Sequence, residues 1–377
     1  MLTPVDPALD AVIDDPEAVM DWYRAASKTG QALRDQVKAE SIAVNTAFQE
    51  IGLAFGCSAG VSMNVVGGVV RSVFINSASQ EMTDTQWQQI AVFMREHHLD
   101  TLDVFSSPDT DLDFLQHFDF LTALNFGETI INVDGLHCLT DKMTWLAWGA
   151  NRKFSLDVLR RFPHLRALAV GPAKDFDAVA GLTELCWLSM DNTGLADLNM
   201  LTGLPRLRRV SMGSGKPPDL SALATLPELE LLEIKGWRKI SDPDIAPIAD
   251  CVNLRVLEID SVPNITRLPD LSRLTKLRVV NLQNMKTLAD VTGLAAAPNL
   301  TWAWIDSKST TAQSVIPLLG HPSLTSLTVA CHTDALCEEL NTLIPAELNQ
   351  KYTWNNTYLH YRAAVYHHTG SLPGLPT

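Results

Sequence analysis

Basic residues are scarce in this chain of 377 residues. It has 29 Lys and Arg against 43 Asp and Glu, which gives a formal net charge of −14. Nucleic-acid binding needs a clustered cationic surface, so this charge balance argues against a DNA or RNA partner. An acidic surface instead steers basic proteins into encounter, although acidity also serves solubility.

Long apolar runs and metal-binding patterns are missing as well. Two uncharged runs, residues 51–70 and 309–333, reach the ~20 residues that span a bilayer, but Gly, Ser, Thr, Asn or Pro interrupt both, so no predominantly apolar run of that length is present. The stretch from Met1 to Asp21 has six acids and no Lys or Arg, the opposite of the cationic start of a signal peptide. The six cysteines are dispersed, without a C-x-x-C pair or zinc spacing, and we expect most of them to be reduced. These absences predict a cytoplasmic protein with no membrane contact, metal or cofactor.

Catalytic motifs are also absent. The chain has no G-x-S-x-G, phosphate-binding glycine loop, H-E-x-x-H or calcium loop. Cys331, His332 and Asp334 are close in sequence, but adjacent strand residues point to opposite faces and seldom share a proton. We therefore predict a protein that is not an enzyme and takes no small-molecule substrate. An enzyme within residues 1–60 stays the alternative.

What the chain does have is a recurring phrase, Leu-x-x-Leu-x-Leu. Successive copies start 20 to 25 residues apart, a period typical of a stacked solenoid. The first residues of the copies are Leu99, Leu121, Met143, Leu165, Leu185, Leu207, Leu229, Leu254, Leu277, Leu300 and Leu324.

Each copy combines two periods. The phrase alternates apolar and other residues, which predicts a strand with one face in the core. Apolar residues then recur every third position, which predicts short helical or 3₁₀ segments on the outer side of the coil. Two sets show the second period best: Leu195, Leu198, Leu201 and Leu204, and Ile265, Leu268, Leu271 and Leu274.

Residues 99 to about 330 resemble the leucine-rich repeat family, in particular its short-repeat bacterial and intracellular subclass. The resemblance implies an α/β solenoid, a horseshoe whose parallel sheet lines a concave face and binds another protein. One feature departs from the family. The family commonly has Asn or Cys three positions after the last strand leucine, where this chain has Thr193, Gly215, Trp237, Val262 and Met285.

Four regions are expected. Residues 1–60 form a helical N-terminal region, with a helix from Asp15-Pro16 that ends near Gly30 and a second helix after it. Residues 61–98 form a capping coil, a hairpin turning at Gly67-Gly68 and then a helix. Residues 99–333 hold about 11 repeats, and residues 334–377 form a C-terminal cap and tail. The N-terminal region is either a cap or a separate functional domain.

Aromatic residues of the tail are expected to cover the last coil. They are Tyr352, Trp354, Tyr358, Tyr361 and Tyr366.

The third, fifth and seventh positions of the phrase are expected to project outward from the concave sheet. Large apolar groups there, including Val256 and Val279, suggest an interaction site beside an acidic track. Alternatively, the tryptophans pack under another segment of the chain, and the acids are simply solvated. The candidate protein-binding residues are Trp145, Trp187, Arg209, Leu231, Glu233, Glu258, Asp260, Trp302, Trp304 and Asp306.

These features predict a protein-binding module that acts through its concave face. The sharper version is an inhibitor or immunity protein that neutralises a basic toxin or enzyme, since an acidic surface would steer such a partner. The alternative is a scaffold or regulatory subunit of an intracellular complex, which binds partly through its N-terminal helices.

Overall fold

The computed structural model describes residues 7–50, 58–65, 69–76, 81–105, 109–149, 152–348, 361, 364 and 365. These residues fall into two compact units. The first unit consists of Pro7 and residues 21–188, and the second consists of residues 8–20 and 189–348 with residues 361, 364 and 365.

Short strands alternate with short helical segments. The helices are α1 (Pro7–Asp10), α2 (Pro16–Glu50), α3 (Asp84–Glu96), α4 (Asp242–Ile245), α5 (Thr292–Ala295), α6 (Ala312–Leu319) and α7 (Asp334–Leu343). The strands are β1 (Ser58–Val65), β2 (Val69–Asn76), β3 (Thr101–Phe105), β4 (Ala123–Phe126), β5 (Trp145–Trp148), β6 (Phe154–Ser155), β7 (Ala167–Val170), β8 (Ala173–Lys174), β9 (Trp187–Asp191), β10 (Arg209–Gly213), β11 (Leu231–Lys235), β12 (Val256–Asp260), β13 (Val279–Met285), β14 (Trp302–Ser307) and β15 (Ser326–Val329).

Helix α2 begins as the sequence predicts but does not end there. The Asp15 carboxylate accepts hydrogen bonds from the N–H groups of Glu17 and Ala18, and Pro16 fills the first helical position. The prediction that Gly30 ends this helix is wrong, because α2 continues unbroken to Glu50. One interior glycine costs a helix only about 1 kcal/mol, which the rest of a 35-residue helix can offset.

In the first unit the sheet starts with an antiparallel pair. Strands β1 and β2 pair antiparallel, and the predicted turn at Gly67-Gly68 lies outside the described residues. Strands β2, β3, β4, β5 and β7 then follow in parallel order. Helix α3 buries Trp87, Ile90 and Met94 and starts with a capping box between Thr83 and Gln86. Each repeat strand thus has its inner face covered by its own coil.

In the second unit strands β10 to β15 are parallel and adjacent in chain order. Each lies within the phrase, as predicted, and begins at its third position, and third positions of neighbouring strands pair directly, for example Leu231 with Val256 and Val256 with Val279. Equivalent residues therefore form continuous columns across the sheet.

The outer sides of most coils contain 3₁₀ segments, as the three-residue period predicts. The prediction is wrong in the coil after β12, where Leu268, Leu271 and Leu274 are buried but lie in turns rather than in a helix. The 3₁₀ segments are Asp113–His117, Asp134–Cys138, Asp157–Arg161, Phe176–Gly181, Asn199–Leu201, Ser221–Thr225 and Ala246–Asp250.

After several strands of the second unit, a residue with left-handed backbone hydrogen-bonds to the next coil. The family commonly has Asn or Cys side chains in this turn instead. Ser214 and Ser261 have φ of 51° and 56°, and their N–H groups donate to the carbonyls of Lys235 and Gln283 in the next strand. Trp237, at a position where the family has Asn or Cys, is buried and donates its indole N–H to the Ser214 carbonyl at 3.1 Å. The turn thus satisfies its backbone groups without a repeated polar side chain.

The cysteines only partly follow expectation. Cys331 and Cys337 form a disulfide between the end of the last repeat and α7. Cys251 is a buried thiol, whereas Cys186 is half-buried and Cys138 is exposed. The described residues contain no cluster that could hold a metal ion and no helix long and apolar enough to cross a membrane.

Gly135 lies where two successive coils approach each other closely. A Cβ added there would lie 1.9 Å from the Leu112 carbonyl oxygen, whereas a Cβ at Gly181 in another 3₁₀ segment would meet nothing within 4 Å. We predict that Gly135→Ala lowers the free energy of unfolding by about 1–3 kcal/mol through overpacking. Gly181→Ala should change it by less than about 0.5 kcal/mol. Urea unfolding of both variants measures the difference, and equal stabilities would contradict the packing described here.

Candidate protein-binding face

The repeat face is the side of the sheet formed by the third, fifth and seventh positions of the phrase. In the second unit the large apolar residues on this face are buried, so the expectation that they are exposed is wrong. The buried residues are Leu231, Val256, Val279 and Trp302. Trp304 is half-buried and stacks against Trp302, with 6.3 Å between ring centroids.

The acids on this face are not a solvated track either. Glu233 and Glu258 are buried, and the Glu233 carboxylate accepts from Arg209 at 2.8 Å and from Lys235 at 3.2 Å. Glu233 and Arg209, both candidate binding residues, thus form an ion pair with each other.

The two acids at the seventh position are also held by hydrogen bonds. Asp260 accepts from the Asn284 amide at 2.8 Å, and Asp306 pairs with His332 at 2.9 Å. Both stay partly accessible at the strand ends.

A segment from the beginning of the chain lies on the second unit. This N-terminal segment, residues 8–20, buries the side chains of Leu9, Ile13 and Val19. Its Asp14 carboxylate forms an ion pair with Arg255, and the Asp14 carbonyl accepts from Arg278 at 3.4 Å. The N-terminal segment therefore contacts the two coils whose repeat-face residues Val256 and Val279 are buried.

The described part of the C-terminal tail contacts the N-terminal segment. Tyr361 is buried and donates its hydroxyl proton to the Ile13 carbonyl at 3.1 Å. It also lies beside Arg255, in the coil that starts at Leu254, so the prediction that Tyr361 covers the last coil is wrong. The other four tail aromatics lie outside the described residues.

Arg255 is the centre of this contact. Its side chain is only 5% exposed, and its nearest buried acid, Glu230, lies 3.6 Å from Nε. Asp14, in contrast, is 62% exposed. Partial burial tends to raise the pKa of Asp14, but the hydrogen bond and charge of Arg255 outweigh burial and lower it. Burial raises the pKa of Tyr361 to about 12, so its hydroxyl remains a donor.

In the first unit the repeat face is an apolar cluster. Trp145 and Trp187, two of the candidate binding residues, are buried in it, with small residues between them. The Trp145 indole N–H has no hydrogen-bond partner within the described ranges. The cluster consists of Ala123, Trp145, Ala147, Ala167 and Trp187, with Ala169 packed against it.

A polar group that the sequence analysis missed lies next to this cluster. Asp103 forms hydrogen bonds with Ser72 and Asn125, and burial raises its pKa to about 6. Asp103 and Asn125 are neighbours in the fifth-position column, which was visible in the sequence. Ser72 comes from the irregular first coil, outside the repeat phrase, and its partner could not be inferred from spacing.

We predict that Asp103→Asn stabilises the protein at neutral pH. The pKa of about 6 in the folded state is above the ordinary Asp pKa of about 3.9, so folding favours the protonated acid. Stability is therefore highest below about pH 4 and falls as the pH rises through about 6. At pH 7 the variant should gain up to about 3 kcal/mol. Urea unfolding between about pH 4 and 7, with Asp141→Asn as an exposed control, measures this, and a constant difference across that range would contradict it.

Comparison with known proteins shows the fold. No family model and no curated protein matches the chain. Among solved structures, an internalin (InlF) of Listeria monocytogenes is similar, with a TM-score of 0.52 at 16% identity over 75% of this chain and 88% of that chain. TLR13 in a complex with ssRNA13 also has a TM-score of 0.52, at 18% identity over 66% of this chain and 38% of that chain.

A leucine-rich repeat protein of Leptospira interrogans matches with a TM-score of 0.45 at 16% identity, over 67% of this chain and 71% of that chain. The internalin and TLR13 are leucine-rich repeat proteins, with parallel strands in successive coils as in each unit described above. The fold predicted from the recurring phrase is confirmed: the chain has the leucine-rich repeat fold, an α/β solenoid.

Proposed function

We propose that the chain is a non-enzymatic protein-binding module that binds a polypeptide segment on the repeat face of its second unit. One observation carries this proposal: the chain's own residues 8–20 contact Arg255 and Arg278, which directly precede the buried repeat-face residues Val256 and Val279. One ion pair and a backbone carbonyl make this contact, the segment also buries apolar side chains, and a segment of another protein offers the same groups.

Other ligand classes have less support. TLR13 was solved with ssRNA, but this chain carries a net charge of −14 and two buried glutamates on the repeat face, which oppose phosphate binding. Large buried apolar groups are typical of protein interfaces instead.

Two narrower versions of the proposal differ in the partner. An inhibitor or immunity protein against a basic toxin or enzyme is supported by the net charge, which would speed encounter. A scaffold or regulatory subunit of an intracellular complex is supported by the N-terminal segment, because a binding face that holds a segment of its own chain can be controlled by it.

Affinity capture with three versions of the full chain tests the proposal. The wild type is compared with Ile13→Asp, which weakens the contact of the N-terminal segment with the rest of the second unit. A double variant, Ile13→Asp with Val279→Asp, also makes the repeat face polar. We predict that Ile13→Asp retains a protein at least about tenfold better than wild type, since it exposes the face, and that the double variant loses it. Mass spectrometry of the bound proteins gives the result. A protein bound equally by all three chains, or none at all, would contradict the proposal.

The salt dependence of that complex separates the two narrower versions. A basic partner steered by charge should associate about tenfold more slowly when NaCl is raised from about 50 to 500 mM, and Asp260→Lys should slow it further. A partner of the scaffold type should show little change. Stopped-flow association rates give the answer, and a salt-independent rate would reject the inhibitor version.

We also propose a cytoplasmic location, which the three free thiols among the described cysteines support. The Cys331–Cys337 pair provides the test, because disulfides rarely persist in the cytosol. Rapid alkylation of thiols in intact cells should label both cysteines, and protection of both would contradict this location.

A further inference from the structure

Cationic side chains line the edge of the repeat face where the N-terminal segment binds. Arg255 and Arg278 occupy the second position of consecutive phrases, directly before the paired residues Val256 and Val279. Lys276 adds a third positive charge that acts on Asp14. We call Arg255, Lys276 and Arg278 the cationic edge.

One acid that pairs with the cationic edge comes from outside the repeats. Burying a guanidinium is unfavourable unless it is paired, and within the repeats Arg255 has the Glu230 carboxylate 3.6 Å away. Arg278 donates to two carbonyls within its own coil. The Asp14 carboxylate of the N-terminal segment and the Tyr361 hydroxyl are further partners of Arg255.

The N-terminal segment has the features of a bound peptide that a partner can displace. Its acid is mostly exposed, so it approaches the buried arginine from the solvent side. Two turns, from Val12 N–H to the Leu9 carbonyl and from Asp15 N–H to the Val12 carbonyl, fold the segment on itself. Its contacts include the Asp14 carboxylate, the backbone carbonyls of Ile13 and Asp14, and three buried apolar side chains.

We propose that the cationic edge and the adjacent apolar columns form a recognition site for an acidic peptide segment of the partner, in which a carboxylate directly follows an apolar anchor. The N-terminal segment, with Leu9, Ile13 and Asp14, occupies this site until the partner displaces it. This inference rests on the proposed function and adds the chemistry of the partner, an acid at the contact point.

Competition with the tethered segment sets the expected affinities. A tethered ligand competes at an effective concentration in the millimolar range for a short connection. A peptide with the same contacts therefore binds wild type poorly and binds a chain with a weakened segment much better.

A labelled peptide with the sequence of residues 7–20 tests the inference on the full chain. Fluorescence anisotropy compares wild type, Ile13→Asp and Asp14→Lys, with Glu17→Lys as the control. Glu17 is an exposed acid of the same segment, and Asp14→Lys changes a mostly exposed site and should keep the fold. We expect at least tenfold tighter binding to Ile13→Asp and Asp14→Lys than to wild type and Glu17→Lys.

Matched peptides test the role of the acid. The peptide with Asp14→Asn should bind the opened chains at least fivefold more weakly, whereas the peptide with Glu17→Gln should bind like the original. Equal affinity of the original peptide for all four chains, or equal affinity of the two altered peptides for the opened chains, would overturn the inference.

The capture experiment distinguishes failure of this inference from failure of the proposed function. A protein that opened chains hold on the repeat face, together with no peptide binding, overturns only this inference. Absence of any captured protein overturns the proposed function whatever the peptide does. If both hold, the peptide of residues 7–20 should release the captured protein.

Discussion

In-register stacking of short parallel strands is the constraint on which the rest of the structure depends. A single coil cannot bury its apolar edge, so each coil must align with its neighbours. Alignment pairs equivalent positions, as Leu231 pairs with Val256 and Val256 with Val279. Residues at the same position of the phrase therefore form one column across the sheet.

The stacking that buries the coil interior also aligns equivalent residues on the repeat face, where two of these alignments are unfavourable. Leu, Val and Trp at the third position form a continuous apolar strip, and exposing it to water is unfavourable. Arginines at the second position of adjacent coils place like charges side by side. The N-terminal segment relieves the charge problem, because Asp14 pairs with Arg255, and its own residues Leu9, Ile13 and Val19 are buried. The face proposed to bind a partner is thus one that the fold itself keeps from water.

The sequence predicts what depends on local periodicity. The alternation within each phrase placed a strand in every repeat, and Asp15-Pro16 marked the start of α2. The same local signals wrongly predicted that Gly30 ends α2, because a helix can continue through one glycine when the remaining residues support it.

Long-range contacts were beyond this kind of prediction. Asp14 and Arg255 are 241 residues apart, and no repeat connects them. Glu233 was visible as an acid on the face, but its pairing with Arg209 at 2.8 Å depends on side-chain directions that spacing does not fix. Trp237 replaces the family's polar ladder residue through an indole hydrogen bond to Ser214, which composition could not indicate.

Hydroxyl-radical footprinting of the intact chain is the most direct test of the central claim, that the repeat face of the second unit is covered. Exposed aromatic and aliphatic side chains oxidise quickly, and buried ones are protected. The account predicts that Leu231, Val256, Val279 and Trp302 are protected in wild type and become reactive in Ile13→Asp. Rapid oxidation of these residues in wild type would contradict it.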